Sequence, residues 1–232
     1  MHKHAKLKAG IGLVLAVVLL LFGLAGLILN NHHTQALMIN HAQTNILKRT
    51  TAKSIQNHQS QPANFNANQT KDATTNTVIY NQLHQKYANA IGIMSIPQIN
   101  MQNPIFNGYG NNGAFLALGA CTMKPNQVMG QGNYALAGHY MAGDTVFHEL
   151  SHADVGMKVY ITNLKHIYVY TINHKSIINH YDVGVINDVP QQKMITLITC
   201  IQLNATPYRT LVQGQLTQVL PASSQNLKQY QL

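Results

Sequence analysis

From Ala9 to Leu29 the chain runs for 21 residues, AGIGLVLAVVLLLFGLAGLIL, without one charged side chain. No polar face interrupts the run, so it does not read as the amphipathic helix of a globular domain. As a helix it is long enough to cross the ~30 Å hydrocarbon layer of a bilayer. Lys3, Lys6 and Lys8 precede it and no Lys or Arg follows until Lys48. That asymmetry predicts a cytoplasmic N-terminus with the bulk of the chain outside. The run ends in Leu29-Asn30-Asn31 with no small-x-small cleavage site, which favours an uncleaved signal anchor over a removed leader. The expected organisation is a cytoplasmic N-terminus at 1–8, a transmembrane anchor at 9–29, a juxtamembrane segment and flexible linker at 30–75, and a folded domain at 76–232.

Within the linker, residues 35–58 are expected to form a loose helix, while 59–76, QSQPANFNANQTKDATTN, reads as a tether. Helical character returns around 78–90. After it, short apolar segments recur between Gly, Asn and Pro: IGIMSI, FLALGA, NYALAGH, KVYITNL, IYVYTI, YDVGVI, MITLITC and TLVQGQL. Their β-branched and aromatic content and turn-rich boundaries predict a mainly β domain, a barrel. Charged residues make up only 9% of the chain, against about a quarter in typical globular proteins. The formal charge is +9, yet residues 1–75 hold seven Lys or Arg and one acid, and residues 76–232 eight and five. No dense basic patch with interleaved aromatics results, which argues against nucleic acid as a partner. Two cysteines, Cys121 and Cys200, are too few for a disulfide framework in a domain of this size.

Three residues carry candidate chemistry. MITLITC ends on Cys200 and NYALAGH ends on His139, each at the end of an apolar strand-like run. The chain's arginines are Arg49 and Arg209, so Arg209 is the sole guanidinium of the folded domain, nine residues beyond Cys200 across a loop containing Pro207. A thiol, an imidazole and a guanidinium at strand ends supply a nucleophile, a proton carrier and a fixed cationic donor. A competing motif is HELSH, 148–152, which has the His-Glu-x-x-His pattern of zinc peptidases. That chemistry needs both histidines on one helix face and a third ligand. Gly143 and Gly156 limit the helix to about two turns, and Glu149 is the only glutamate, so no downstream glutamate completes a site. A zinc metallopeptidase is one alternative reading. A non-catalytic tethered β-domain that binds cell-wall material is the other.

TLITC at 196–200, LAGH at 136–139 and an Arg beyond the Cys resemble the class A sortases. The similarity extends through IGIMSIPQINMQNPIFNG (91–108), LALGACTMKPNQVMGQGNYALAGH (116–139), GMKVYITN (156–163) and IYVYTI (167–172), so it covers about 90–215. The resemblance implies that 76–232 is an eight-stranded sortase-type β-barrel with short helices. The implied activity is that of a membrane-anchored cysteine transpeptidase of Gram-positive bacteria. Its implied clients are secreted proteins with C-terminal LPxTG-type signals, cleaved between Thr and Gly. Cys200 would form the acyl-thioester, His139 would donate and accept the proton, and Arg209 would stabilise substrate or oxyanion. An amine on a lipid-linked peptidoglycan precursor would then resolve the thioester.

By the same resemblance Ala137, Ile198 and Thr199 line the signal groove, and no cofactor or metal is implied. Some members bind calcium through a carboxylate cluster. Here the matching stretch, ACTMKPNQVMGQGN, carries Lys124 and no carboxylate, and Asp182 and Asp188 on the opposite loop are expected to lack partners. Cys121 is expected to be a small buried residue. HELSH falls between the histidine strand and GMKVYITN, where His148 and His152 are expected at the surface and Glu149 as a solvated acid.

Overall fold

The computed structural model describes residues 2–70, 75–84, 88–143, 145–203 and 206–232, with the side chains of 2–12, 75, 76 and 82 left outside that description. The expectations that rest on Lys3, Lys6 and Lys8, on 71–74 of the tether and on 85–87 of the entry lie outside the described residues. The strands are β1 (Ala90–Ile96), β2 (Met101–Phe106), β3 (Ala120–Thr122), β4 (Asn133–Ala137), β5 (Tyr140–Met141), β6 (Thr145–Val146), β7 (Lys158–Thr162), β8 (His166–Asn179), β9 (Met194–Cys200) and β10 (Tyr208–Pro221). Eight of them close into a barrel in the order β1-β2-β3-β4-β9-β10-β8-β7, and β5 pairs with β6 as a separate hairpin. Closure removes the exposed edges that an open sheet would present.

Alternate residues of each strand fill the barrel. Tyr134 and Leu136, Val159 and Ile161, Tyr170 and Ile172, and Ile195 and Leu197 all enter one buried cluster, as the two-residue period of a strand requires. Two apolar segments expected as strands do not extend. In FLALGA, Phe115–Ala117 end a 3-10 segment, 111–117, that is kinked where Asn112 (φ 52) and Gly113 (φ 77) take left-handed, non-helical backbone; only Ala120 onward joins the sheet. In YDVGVI, Val183–Ile186 is a 3-10 turn. There the Asn179 side chain accepts from Tyr181 N–H (3.1 Å) and Asp182 accepts from Asn179 N–H (2.8 Å), which winds the chain.

Helix α1 (His2–Leu29) leaves its large apolar side chains exposed from Leu13 to Ile28, Phe22 by 72%. Among the described residues no single helix is long and apolar enough to cross a membrane. Leu13–Leu29 and His32–Arg49 meet that measure only as a pair bent by 69°. At the bend Asn31 caps α2 (His32–Arg49) through Oδ1, which accepts from His33 N–H at 2.9 Å.

The segment expected as loose helix and tether is seated on the barrel instead. Ala36, Ile39, Ala42, Gln43 and Ile46 of α2 are buried at helical spacing. In α3 (Ala52–Gln59), which opens with a Thr51–Ser54 capping box, Ile55 is buried as the helix packs on β1. Beyond it, Asn64 C=O accepts from Tyr109 N–H at 2.8 Å. Helix α4 (Thr75–His84) docks by Asn81, whose Nδ2 donates to Ala114 C=O at 2.8 Å.

These additions close a second core on the outside of the barrel wall. Ala42, Ile46, Ala88, Ala90, Phe106, Leu116, Leu118 and Cys121 pack together there, with Ala137 at its margin. A tether would tolerate truncation of any of its side chains; a docked helix does not. Ile46 is fully buried, so Ile46→Ala is expected to weaken the docking of α2 by about 2–5 kcal/mol. Limited proteolysis of the full chain should then cut faster between residues 32 and 59.

Candidate active site

The site is built on three neighbouring strands. β4 and β9 run parallel, with Ala135 opposite Thr196 and Ala137 opposite Ile198. β10 returns antiparallel, with Leu211 opposite Ile198 and Arg209 opposite Cys200. Tyr134, Leu136, Ile195, Leu197 and Val212 point into the barrel core. Ala137, Ile198, Cys200, Arg209 and Leu211 therefore share the outer face. Gly138 N–H still donates to Ile198 C=O at 3.2 Å, so the β4 register carries on past Ala137. Cys200 and Arg209 thus face each other at one end of the sheet, His139 follows the end of the neighbouring β4 on that same side, and all three are half-buried.

Beyond the strand ends the local fold fixes each residue. His139 N–H donates to Leu116 C=O (2.9 Å), and His139 C=O accepts from Phe147 N–H (3.2 Å). A Cβ on Gly138 would press into the Phe147 ring at 2.8 Å, so the residue before His139 has to be small. Arg209 Nη1 donates to Thr206 C=O (2.5 Å) and Tyr208 C=O (2.9 Å), which turns the guanidinium toward the loop that follows Cys200. His180 N–H donates to Pro207 C=O (2.8 Å) and ties the same loop to the end of β8. Tyr181, Val183, Leu203 and Tyr208 on these loops stay exposed, an apolar rim.

Of the three residues expected in the groove, Ala137 and Ile198 lie on the face of Cys200. Thr199 does not. It is buried and pairs with Thr210 on the inner side, because the neighbour of an outward strand residue points inward. Cys121 is fully buried beside Ala137 in the outer core, and burial pushes its thiol well above the usual range. No disulfide joins Cys121 to Cys200.

One side of the groove is the loop 180–193, which sequence reasoning left unfastened. Asn133 Nδ2 donates to Val185 C=O (2.9 Å) and Asn187 C=O (3.1 Å). Thr196 Oγ1 donates to Asn133 Oδ1 (2.7 Å), and Gln213 Nε2 donates to Thr196 Oγ1 (3.0 Å) and Val185 C=O (3.3 Å). Contrary to the expectation above, Asp188 is not partnerless. Its Oδ1 lies 2.5 Å from Lys124 Nζ and accepts from Asn133 N–H at 2.8 Å. Nor is Asp182, which accepts from Asn179 N–H. Uniform polarity hid these contacts: amides and single charges reveal a partner only when the fold brings it.

HELSH forms one 3-10 turn, His148–His152. Three residues per turn put i and i+3 on one face, not i and i+4. The result is an acid between two imidazoles. Glu149 Oε1 meets His148 Nδ1 at 2.9 Å and Oε2 meets His152 Nδ1 at 3.0 Å. Glu149 is 20% exposed, as is much of His148 (22%), so neither is the solvated surface group expected; only His152 is. Burial works to raise the Glu149 pKa, but the hydrogen bonds with His148 and then His152 outweigh it, and the net displacement is downward. Among the described residues no group of three or more His, Cys, Asp or Glu is arranged to hold a metal ion.

With the geometry in place, comparison with known proteins assigns the class. Residues 94–217 match the Sortase domain family. The chain is 35% identical to Sortase A of Streptococcus agalactiae over 209 residues, 88% of this chain and 83% of that one. It is 31% identical to Sortase A of Listeria monocytogenes over 166 residues, 71% of this chain and 73% of that one. The crystal structure of the Listeria enzyme superposes with a TM-score of 0.58 at 33% identity, covering 61% of this chain and 96% of that one. The chain belongs to the sortase family. It is a sortase transpeptidase.

The Lys124–Asp188 pair holds the loop to the wall of the groove. Lys124, first, and then Asn133 N–H keep the Asp188 carboxyl below its usual pKa. A depressed carboxylate contributes stability that is present above the unfolded value of about 3.9 and lost as pH falls through the folded one. The latch is therefore intact at neutral pH. Asp188 is 67% exposed, which keeps its worth within ~0.2–1 kcal/mol. Lys124→Met is expected to speed amide exchange at 185–189 by up to about fivefold at pH 7, and by less at pH 3.

Proposed function

We propose that this chain cleaves LPxTG-type sorting signals between Thr and Gly and transfers the acyl part to an amine of a peptidoglycan precursor. One observation carries the reading: β10 sets Arg209 opposite Cys200 at the end of β9, and the parallel β4 beside it leads into His139 at that same end. The apolar rim around them suits an extended peptide, with Ala137 and Ile198 as the floor of the groove and Thr199 backing it from inside.

In the first half-reaction the Cys200 thiolate attacks the Thr carbonyl carbon and forms a tetrahedral oxyanion. Arg209, already oriented toward that mouth, donates to the oxyanion or to a neighbouring substrate carbonyl. The C–N bond breaks, His139 as imidazolium gives its proton to the departing Gly amine, and a thioester remains on Sγ. In the second half the acceptor amine attacks the thioester carbonyl and loses its proton to neutral His139. The thiolate leaves, and an amide is restored. Protons and electron pairs balance with no redox partner.

The exposed apolar surface of α1 from Leu13 onward supports an anchor in the membrane over 9–29, with the N-terminus cytoplasmic and the barrel outside. That placement meets secreted clients and lipid-linked acceptors at the surface where both are presented.

The test is a quenched LPxTG-type peptide, with and without an amine acceptor. Cys200→Ala is expected to lower cleavage by at least about 10³-fold, and a thiol alkylator to abolish it, while a chelator leaves the rate unchanged. Cleavage by Cys200→Ala at the parental rate would overturn the mechanism. Loss with chelator but not with alkylator would return HELSH to consideration.

A further inference from the structure

Gln43 is the one long polar side chain on the buried face of α2, among Ala36, Ile39, Ala42 and Ile46. A buried amide is costly unless its hydrogen bonds are made, and here one nitrogen serves two acceptors. Gln43 Nε2 donates to Asn103 Oδ1 at 2.8 Å and to Leu118 C=O at 2.9 Å. Each bond starts a path that ends on the backbone of His139.

The first path runs through β2. Asn103 is fully buried and passes the contact on, Nδ2 donating to Val146 C=O at 2.8 Å. Val146 sits at φ 55, left-handed backbone that a β-branched residue rarely adopts, so something must hold it there. The next residue, Phe147, supplies the N–H that reaches His139 C=O at 3.2 Å. The second path runs through the 3-10 helix of residues 111–117. Leu118 caps that helix, and its Leu116 carbonyl takes the His139 N–H at 2.9 Å. Helix α2 also braces the intervening hairpin directly: a Cβ on Gly143 would overlap the Ala36 methyl.

We propose that Gln43 is a positioning residue for His139, so that the helix leading from the anchor to the barrel is part of the catalytic unit. The proposal rests on the reading of His139 as the proton carrier. Gln43 touches no reacting atom. It sets the height and tilt of the imidazole by fixing the peptide groups on both sides of it.

The experiment uses the full chain in detergent micelles, comparing parent, Gln43→Met, Ile55→Ala and Cys200→Ala. Gln43→Met keeps length and packing while removing the donor. Ile55→Ala loosens α3 on β1 without touching either path. Gln43→Met is expected to lower kcat for the quenched peptide about tenfold with KM within about twofold, since small misplacements of a catalytic group act on rate. It is also expected to move the His139 Cε1–H NMR resonance, assigned by its loss in His139→Gln. Ile55→Ala is expected to lower the melting temperature while kcat and that resonance stay parental. A parental kcat and resonance in Gln43→Met, or the same changes in Ile55→Ala, would overturn the proposal. If Cys200→Ala cleaves like the parent, the proposed activity fails, and the His139 resonance still decides whether Gln43 positions the ring.

Discussion

The candidate site of this molecule depends on the parallel pairing of β4 with β9. Parallel neighbours point their C-terminal ends the same way, so the residues leaving Ala137 and Ile198 emerge side by side. An antiparallel pair would have sent His139 and Cys200 to opposite ends. Parallel pairing also demands a long crossover, and the chain between 138 and 193 supplies it. That crossover carries the β5–β6 hairpin, β7, β8 and the loop along the groove, which are the parts that surround the thiol. β10, returning antiparallel, brings Arg209 opposite Cys200. A slip of one residue between β4 and β9 would turn the cysteine into the barrel core.

The outer face of these strands divides into rows with different tasks. Ala137, Ile198 and Leu211 form an apolar row next to the chemistry, while Ala135, Thr196 and Gln213 form the row below it. Gln213 of the lower row and Asn133 both donate to the Val185 carbonyl, and Thr196 is hydrogen-bonded to each of them. The groove therefore has a smooth floor near Cys200 and a fastened wall further down. The apolar row and the row that anchors the loop are separated by a single strand repeat.

Much of this was legible in the sequence, for a physical reason. MITLITC and NYALAGH are unbroken β-strand runs whose ends are marked by a change of character, and chemistry at barrel strand ends has few other places to face. What stayed hidden depended on partners far along the chain. FLALGA and YDVGVI are as apolar as true strands; they leave the sheet through a 3-10 segment kinked at Asn112 and Gly113, just before FLALGA, and through the Asx turns at Asn179 and Asp182. The docking face of α2 is built from two alanines, two isoleucines and one glutamine among polar neighbours, a composition that reads as linker until the barrel wall opposite supplies Phe106 and Leu118. Thr199 was misplaced because adjacency in sequence to a nucleophile is, in a strand, the surest way to face away from it. HELSH matched a metal motif in letters, but three residues per turn cannot deliver its geometry.

The outer core that α2 helps to close has a bearing on how this enzyme can be handled. A chain shortened to residues 76–232 would keep every strand and all three candidate side chains, yet lose Ala42 and Ile46 from the cover over Ala90, Phe106 and Cys121. The thiol of Cys121 is quiet because it is dry, its ionisation held off by burial. Uncovering that wall would wet an apolar patch and bring a second sulfur within reach of air. A form trimmed of its N-terminal helices would gain stickiness and slow oxidation, at a cysteine outside the candidate site.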